Sequence, residues 1–218
     1  MKAKAKRKNI HLCYIDISRA YDSVNRSVLW NKLKSIGFGA SFLGCIQSLY
    51  TGDSVDTVVN GRSSKEVYLG RGVRQGCSLS PLLFVLYIAE IGMDIAAAKV
   101  GFKLGGILFN GLLFADDIVL IATTFNDLES LIAMVKKHCD DLQLTISSSK
   151  SKIVTPDEVD HLLLLDAENN VTLTLSKVLS YKYLGSETTL LMSSTGSKHQ
   201  QKCIHLSLLY IHIACMIQ

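Results

Sequence analysis

The stretch Leu112-Leu113-Phe114-Ala115-Asp116-Asp117-Ile118-Val119-Leu120-Ile121-Ala122 decides the fold, because it sets two acids between two apolar segments. Both segments are rich in strand-forming residues, so they predict two buried strands joined by a tight turn with Asp116 and Asp117 at its tip. Adjacent carboxylates at the edge of a core repel each other and lose solvation. A bound cation would relieve both costs, whereas an ordinary hairpin turn, in which Asp is common, is the plainer interpretation.

The composition is that of a globular protein with a basic N-terminal segment. Of the 218 residues, 48% are hydrophobic and 19% charged, which excludes a disordered chain. The formal net charge is +4, but the first eight residues are so basic that the remainder is close to neutral. We divide the sequence into a basic leader at 1–9, one domain at 10–190 and a C-terminal tail at 191–218.

The cysteines and the terminal segments indicate the cellular compartment in which the protein is expected. Six cysteines are widely spaced without a C-x-x-C pair, which argues against a disulfide framework or a zinc site. The N-terminal residues lack the long apolar segment of a signal peptide. The apolar stretch 203–218 is short for a membrane span, which needs about 20 residues. We therefore expect an intracellular protein, in the nucleus or cytoplasm, without a membrane partner.

The first elements alternate between strand and helix. An apolar strand is predicted at 10–17, and a helix follows from about Ser23 to Ile36. Asp22 or Ser23 is the expected N-cap, Gly37 the expected stop, and Ile36 belongs to the apolar face.

The next elements complete the fold class. A hairpin is predicted between 54 and 69, with Asn60-Gly61 near its turn. A basic, glycine-rich loop follows, and Ser80-Pro81 then begins a helix that is apolar nearly all round and expected to be buried. Another helix is predicted from about Asn126 to Leu142. The mixture indicates an α+β fold, an antiparallel sheet backed by helices.

A third acid, Asp16, lies near the end of the first predicted strand. If that strand is a neighbour of the strands flanking Asp116 and Asp117, the three carboxylates converge at one edge of the sheet. Such a cluster suits hard divalent cations such as Mg²⁺. Two metal ions about 3.5–4 Å apart can hold the attacking and leaving oxygens in phosphoryl transfer. Without its companions, Asp16 would be interpreted as a cap or turn acid.

Three long blocks and two short ones resemble the reverse transcriptases, in that family's order and spacing. They look most like those of non-LTR (LINE-type) retrotransposons and cover roughly 12–185. The resemblance implies an α+β polymerase palm with fingers and thumb largely missing. The blocks are Tyr14–Val24, Gly72–Phe84, Phe114–Asp117, Lys150–Lys152 and Tyr183–Gly185.

The resemblance implies catalytic roles for individual residues. Asp16 and Asp116 would bind the metal ions, Ile17 is grouped with them in metal and substrate binding, and Asp117 completes the acid cluster. Lys150 matches a lysine proposed in the family to protonate the leaving pyrophosphate. The alternative for Lys150 is a surface lysine in a serine-rich loop.

Substrate binding is implied for two further groups. Tyr21 matches the aromatic residue that excludes a 2′-OH, the alternative being an ordinary half-buried tyrosine. Arg74, Gln75 and Gly76 match the loop that lies against the incoming nucleotide and the template. Tyr183-Leu184-Gly185 matches the hairpin that grips the primer.

Two positions depart from the family pattern. Gln143 stands where the family usually has Gly, and Ser147 where Asn is common. Both departures concern the loop that carries Lys150 and leave the acid cluster unchanged.

The implied activity is that of an RNA-directed DNA polymerase, in which a primer 3′-OH attacks the α-phosphorus of a dNTP. Two Mg²⁺ ions, or Mn²⁺ in their place, are the implied cofactors, and RNA template, DNA primer and dNTPs the implied partners. Fingers, thumb and endonuclease regions would belong to a longer polyprotein, and the tail would be the start of a thumb or a non-homologous end.

Two alternatives remain open. One is a catalytically inactive remnant that binds nucleic acid through its basic leader. The other is a different two-metal enzyme, such as a nuclease.

Overall fold

The structure, a computed structural model, describes residues 9–192 and 202–205. Nearly all of the predicted leader and most of the predicted tail therefore lie outside the described residues. The chain divides into two compact units. Of the described residues, unit 1 comprises 9–17, 92–137, 146–192 and 202–205, and unit 2 comprises 18–91 and 138–145.

The helices are α1 Ala20–Ser23, α2 Arg26–Ser35, α3 Ala40–Ser48, α4 Ser80–Ala97 and α5 Phe125–Asp141. The strands are β1 His11–Ser18, β2 Ser54–Val55, β3 Val58–Val59, β4 Arg62–Ser63, β5 Val67–Tyr68, β6 Phe102–Leu104, β7 Ile107–Phe109, β8 Gly111–Phe114, β9 Asp117–Ala122, β10 Thr145–Ile146, β11 Lys152–Val154, β12 His161–Leu165, β13 Val171–Lys177, β14 Ser180–Tyr183, β15 Ser186–Met192 and β16 Lys202–His205. The α+β prediction is confirmed.

Unit 1 is built on a mostly antiparallel sheet. In the described residues its strand order is β12-β13-β11-β1-β9-β8, with β10 also paired to β1, and only β11 and β13 run parallel within this order. Strand β9 is buried from Ile118 to Ala122, which explains its continuous apolar run. The first turns of α5 bury Leu128, Leu131, Ile132 and Val135, the i, i+3, i+4 spacing of an apolar helix face.

Helix α2 of unit 2 begins later than predicted. Its N-cap is Asn25, whose side-chain oxygen accepts hydrogen bonds from the backbone N–H groups of Ser27 and Val28. The expected cap, Asp22 or Ser23, belongs instead to the short helix α1. Gly37 ends the helix with a φ of +98°, as expected, but Ile36 is exposed. Asp22, Ser23 and Asn25 are all suitable N-cap residues and lie close together, so the sequence pattern could not choose among them.

The region 54–69 forms a hairpin that is interrupted in the middle. Strands β2 and β5 pair, and β3 and β4 pair separately nearer the turn. Asn60 and Gly61 both have positive φ, as a type I′ turn requires.

Helix α4 begins at Ser80, as predicted, but it is buried on one face only. Leu82, Val85 and Met93 are exposed, whereas the large aromatic residues Phe84 and Tyr87 are fully buried. An all-apolar sequence cannot indicate which face has a packing partner, which is why burial on every side was the wrong expectation.

Candidate functional site

Strand pairing in unit 1 brings two of the predicted acids together. Strand β1 lies antiparallel to β9, and Asp16 is directly opposite Asp117 in the register. Residues opposite each other in an antiparallel pair have Cβ atoms about 4.5–5.5 Å apart on the same face. The two strands are therefore neighbours, which is the condition under which the acids were predicted to converge. Ile17 continues β1, with its side chain buried in the core.

The turn between β8 and β9 carries the remaining acid. Phe114 and Asp117 form the last pair of the hairpin, which leaves Ala115 and Asp116 as its two turn residues. Ala115 has a φ of +52°, a conformation that a residue with a Cβ rarely adopts. Strain of this kind costs roughly 1–3 kcal/mol and persists only where the surrounding structure imposes it. The two flanking strands impose it here.

The backbone of Asp16 is fixed by the segment that carries Lys150. The Asp16 N–H donates to Oγ of Ser151 at 3.0 Å, and its carbonyl accepts from the N–H of Ser147 at 2.9 Å. Nζ of Lys150 lies 3.5 Å from Oδ2 of Asp16, with the lysine side chain 68% exposed. The structure thus places Lys150 beside the acid cluster. Ser151 was not singled out from the sequence, although it lies inside the Lys150–Lys152 block.

The electrostatics of the acid pair fit a divalent cation. Within the described residues, Oδ2 of Asp16 is buried and accepts no hydrogen bond, although Nζ of Lys150 lies 3.5 Å from it. Burial, together with the charges of Asp116 and Asp16, raises the pKa of Asp117 above its usual value. Carboxylate oxygens are the ligands that Mg²⁺ prefers. Within residues 9–192 and 202–205, however, no three Asp, Glu, His or Cys side chains are grouped as a preformed metal site.

Three tyrosines of unit 1, Tyr14, Tyr181 and Tyr183, pack together near the acid cluster. The ring of Tyr181 stacks on Tyr14 with centroids 4.3 Å apart, and its hydroxyl donates to the carbonyl of Lys150 at 3.3 Å. Burial, then the charge of Asp117, raises the pKa of Tyr183. Tyr181, which sequence reasoning missed, thus connects the hairpin strand β14 to the lysine segment.

The predicted primer-gripping residues form a tight turn. Tyr183 pairs with Ser186 across the hairpin of β14 and β15, so that Leu184 and Gly185 are its two turn residues. Both have positive φ, +45° and +81°, as in a type I′ turn. The structure thus supplies a hairpin at this position, and its role in holding a primer stays a prediction.

The predicted nucleotide-contacting residues belong to unit 2. The ring of Tyr21 stacks on the buried Phe84, with centroids 5.1 Å apart and planes 16° from parallel. The buried Phe84 ring therefore packs against one face of the tyrosine ring. Gln75 donates to Oδ1 of Asp22 at 3.0 Å, and Gly76 has a φ of +80°.

Gln143 occupies a position where backbone geometry favours glycine. The N–H of Gln143 donates to the carbonyl of Asp140, and the N–H of Leu144 to that of Cys139, which together form a Schellman motif at the end of α5. Gln143 has a φ of +55°. Its side-chain oxygen accepts from Arg71 at 2.9 Å and from Asn25 at 3.2 Å. These hydrogen bonds oppose the conformational cost.

Comparison with known sequences gives a consistent result. Residues 1–188 match the family described as reverse transcriptase (RNA-dependent DNA polymerase). The chain is 34% identical, over 66% of its length, to 14% of a retrovirus-related Pol polyprotein from type-2 retrotransposable element R2DM of Drosophila melanogaster. It is 24% identical, over 88% of its length, to 32% of the Pol polyprotein of a type-1 element R2 of Popillia japonica. The chain therefore spans at most about a third of these relatives.

Solved structures of low sequence identity share the fold. Telomerase from Candida tropicalis, in complex with a fragment of telomeric RNA, matches with a TM-score of 0.56 at 12% identity, over 78% of this chain and 30% of that one. Telomerase from Candida albicans matches with a TM-score of 0.51 at 14% identity, over 70% of this chain and 28% of that one.

Proposed function

Because this chain belongs to the reverse transcriptase (RNA-dependent DNA polymerase) family, we propose that it carries the catalytic core of an RNA-directed DNA polymerase from a non-LTR retrotransposon. Its substrates would be an RNA template, a DNA primer and dNTPs. The observation that supports this most is the register of β1 and β9, which sets Asp16 opposite Asp117. Like charges at such positions are unfavourable and call for a counter-ion.

In the proposed reaction, the primer 3′ oxygen forms a bond to the α-phosphorus of the dNTP. The bond that breaks is the one between the α-phosphorus and the oxygen that bridges it to the β-phosphorus. Asp16, Asp116 and Asp117 would hold two Mg²⁺ ions, or Mn²⁺ in their place. When bound, such cations supply charge neutralisation at the phosphate and lower the pKa of the attacking hydroxyl. The proton from that hydroxyl leaves to solvent, and Nζ of Lys150 gives a proton to the departing pyrophosphate.

Unit 2 would supply nucleotide selection. Tyr21, whose ring stacks on Phe84, would exclude a 2′-OH on the incoming sugar by its bulk. Arg74, Gln75 and Gly76 would line the path of the nucleotide and template. The relatives are polyproteins several times longer than this chain, and we propose that it acts within such a protein, inside the nucleus or cytoplasm.

Primer extension on an RNA template, with Asp116→Asn alongside the unsubstituted protein, tests the proposal. We expect Mg²⁺-dependent extension that the substitution abolishes. Asp141→Asn, at the exposed end of α5, is the matched control and should leave extension unchanged. Extension that survives Asp116→Asn would contradict the assignment. Mg²⁺-dependent degradation of the nucleic acid, without extension, would instead indicate a nuclease.

A further inference from the structure

Unit 2 contains a buried carboxylate held by two arginines. Oδ2 of Asp53 accepts from Nη2 of Arg26 at 2.7 Å, and Oδ1 accepts from Nε of Arg74 at 3.1 Å, with Nη2 of Arg74 in ion-pair contact at 3.0 Å. The Asp53 and Arg26 side chains are only 9% and 11% exposed, whereas Arg74 is 49% exposed. Asp53 is thus a bridge from a buried guanidinium to one that reaches solvent.

Arg26 extends this bridge to the backbone of the glycine-rich loop 69–76. Its Nε donates to the carbonyl of Gly72 at 2.8 Å, and its Nη1 donates to that of Leu69 at 2.7 Å. The N–H of Leu69 in turn donates to the carbonyl of Asp53 at 2.7 Å. One ion pair therefore fixes the loop at two points.

The loop is joined directly to the turn that carries Tyr21. The N–H of Gly72 donates to the carbonyl of Val24, and the N–H of Val73 to that of Tyr21, both at 2.8 Å. A Cβ on Gly72 would lie 3.0 Å from the Cα of Asp22, so the two backbones are in contact. Movement of the loop would therefore disturb the turn as well.

Arg74 is held on a second side by an aromatic ring. Its guanidinium carbon lies 5.8 Å from the ring centroid of Tyr50, and that of Arg26 lies 4.8 Å from the same ring. Burial raises the pKa of Asp53, but its bonds to Arg74 and Arg26 outweigh burial and hold the pKa below its usual value. The Asp53 carboxylate thus remains ionised at neutral pH.

We infer that Asp53 is a positioning residue for nucleotide binding, which fixes loop 69–76 through Arg26 and aims the exposed edge of Arg74 at an anionic ligand, the phosphates of the incoming nucleotide. This inference rests on the proposed function. An open cleft of about 570 Å³ borders these residues. Arg26 donates its N–H groups to backbone carbonyls and to Asp53, and it therefore holds the loop in place. Arg74 is the residue that reaches the ligand.

Asp53→Asn tests the inference, because an amide presents a donor where one arginine needs an acceptor. Hydrogen exchange should increase at the amides of Gly72 and Val73. The KM for dNTP should rise roughly tenfold, with smaller changes in kcat and in the KM for primer–template. Asp56→Asn, in the same hairpin but hydrogen-bonded to Ser63, is the charge-matched control. It should change neither the exchange at Gly72 and Val73 nor the KM for dNTP. Should Asp53→Asn fail to fold, Arg74→Lys keeps the charge, loses the two-point contact and should give the same KM effect.

If the unsubstituted protein is active, two results would overturn the inference. Unchanged exchange at Gly72 and Val73 would show that Asp53 does not fix the loop. Faster exchange with an unchanged dNTP KM would show a purely structural network. If the unsubstituted protein adds no nucleotide, the proposed function fails, and binding of Mg²⁺-dNTP to the unsubstituted and Asp53→Asn proteins decides the inference. A weaker affinity in the variant supports it, and equal affinity overturns it.

Discussion

Asp117 lies directly opposite Asp16 in the antiparallel register of β9 and β1, so two like charges share one face of the sheet. Such pairs destabilise a strand pairing by roughly 0.2–1 kcal/mol. We expect Asp117→Asn, which keeps the shape and removes the charge, to raise the free energy of unfolding in EDTA by about that amount. Thermal denaturation should also show that MgCl₂ stabilises the unsubstituted protein and not the variant.

Asp141→Asn is the control for that measurement. Its carboxylate is exposed at the end of α5, so the substitution should leave both the stability in EDTA and the response to Mg²⁺ unchanged. A variant Asp117→Asn that is less stable than the unsubstituted protein in EDTA would show that the pair is not repulsive.

The same pair makes stability depend on pH. Because the pKa of Asp117 is raised in the fold, the folded state keeps its proton at pH values where the unfolded chain, with a pKa near 3.8, has lost it. The folded state then binds more protons, so this group lowers stability as pH rises from about 3.8 through the raised pKa. Urea denaturation in EDTA should show the advantage of Asp117→Asn growing over that interval. An advantage independent of pH would contradict the raised pKa.

Tyr21 gives a prediction about sugar selection. Tyr21→Ala removes the aromatic ring that stacks on Phe84, so ribonucleotides should be incorporated more readily. We expect selectivity for dNTP over rNTP to fall roughly tenfold to a hundredfold, measured as the ratio of kcat/KM values. Tyr21→Phe, which keeps the ring, should retain it. Equal losses in the two variants would indicate that the hydroxyl, and not the ring, excludes the ribose.

Gln143 offers a test of backbone strain. Gln143→Ala and Gln143→Gly both lose the hydrogen bonds from Arg71 and Asn25, but only glycine relieves the positive φ. The glycine variant should therefore be more stable than the alanine variant by about 1 kcal/mol in urea denaturation. Equal stabilities would mean that the Schellman turn carries no strain.

Much of the acid cluster could be predicted from residue order. Asp16 and Asp117 lie at the ends of apolar runs, and such runs indicate buried strands, although not which strand pairs with which. The sequence also identified Gly37 and Asn60-Gly61 correctly, because positive φ restricts the choice of residue so strongly. The departure at Gln143 was visible too, and the structure supplies its physical meaning as the left-handed residue of a helix end.

The remaining features depend on contacts that no local pattern encodes. Ile36 shares the period of a buried helix face and is nevertheless exposed, because periodicity does not reveal how far a packing partner extends. The bridge from Arg26 through Asp53 to Arg74 joins residues far apart in sequence, and each of the three would pass for a solvated charge. Only the fold brings them together.

The separation of Asp16 from Asp117 has a consequence for how the protein is made. About a hundred residues, including the long segment 18–91 of unit 2, must be synthesised before β9 can pair with β1. This large sequence separation gives the strand pair a high contact order. Closing so long a loop is therefore entropically costly and slow. A nascent chain that stops before β9 has Asp16 without its partner. Acquisition of Mg²⁺-dependent stability would therefore report the pairing of β1 with β9.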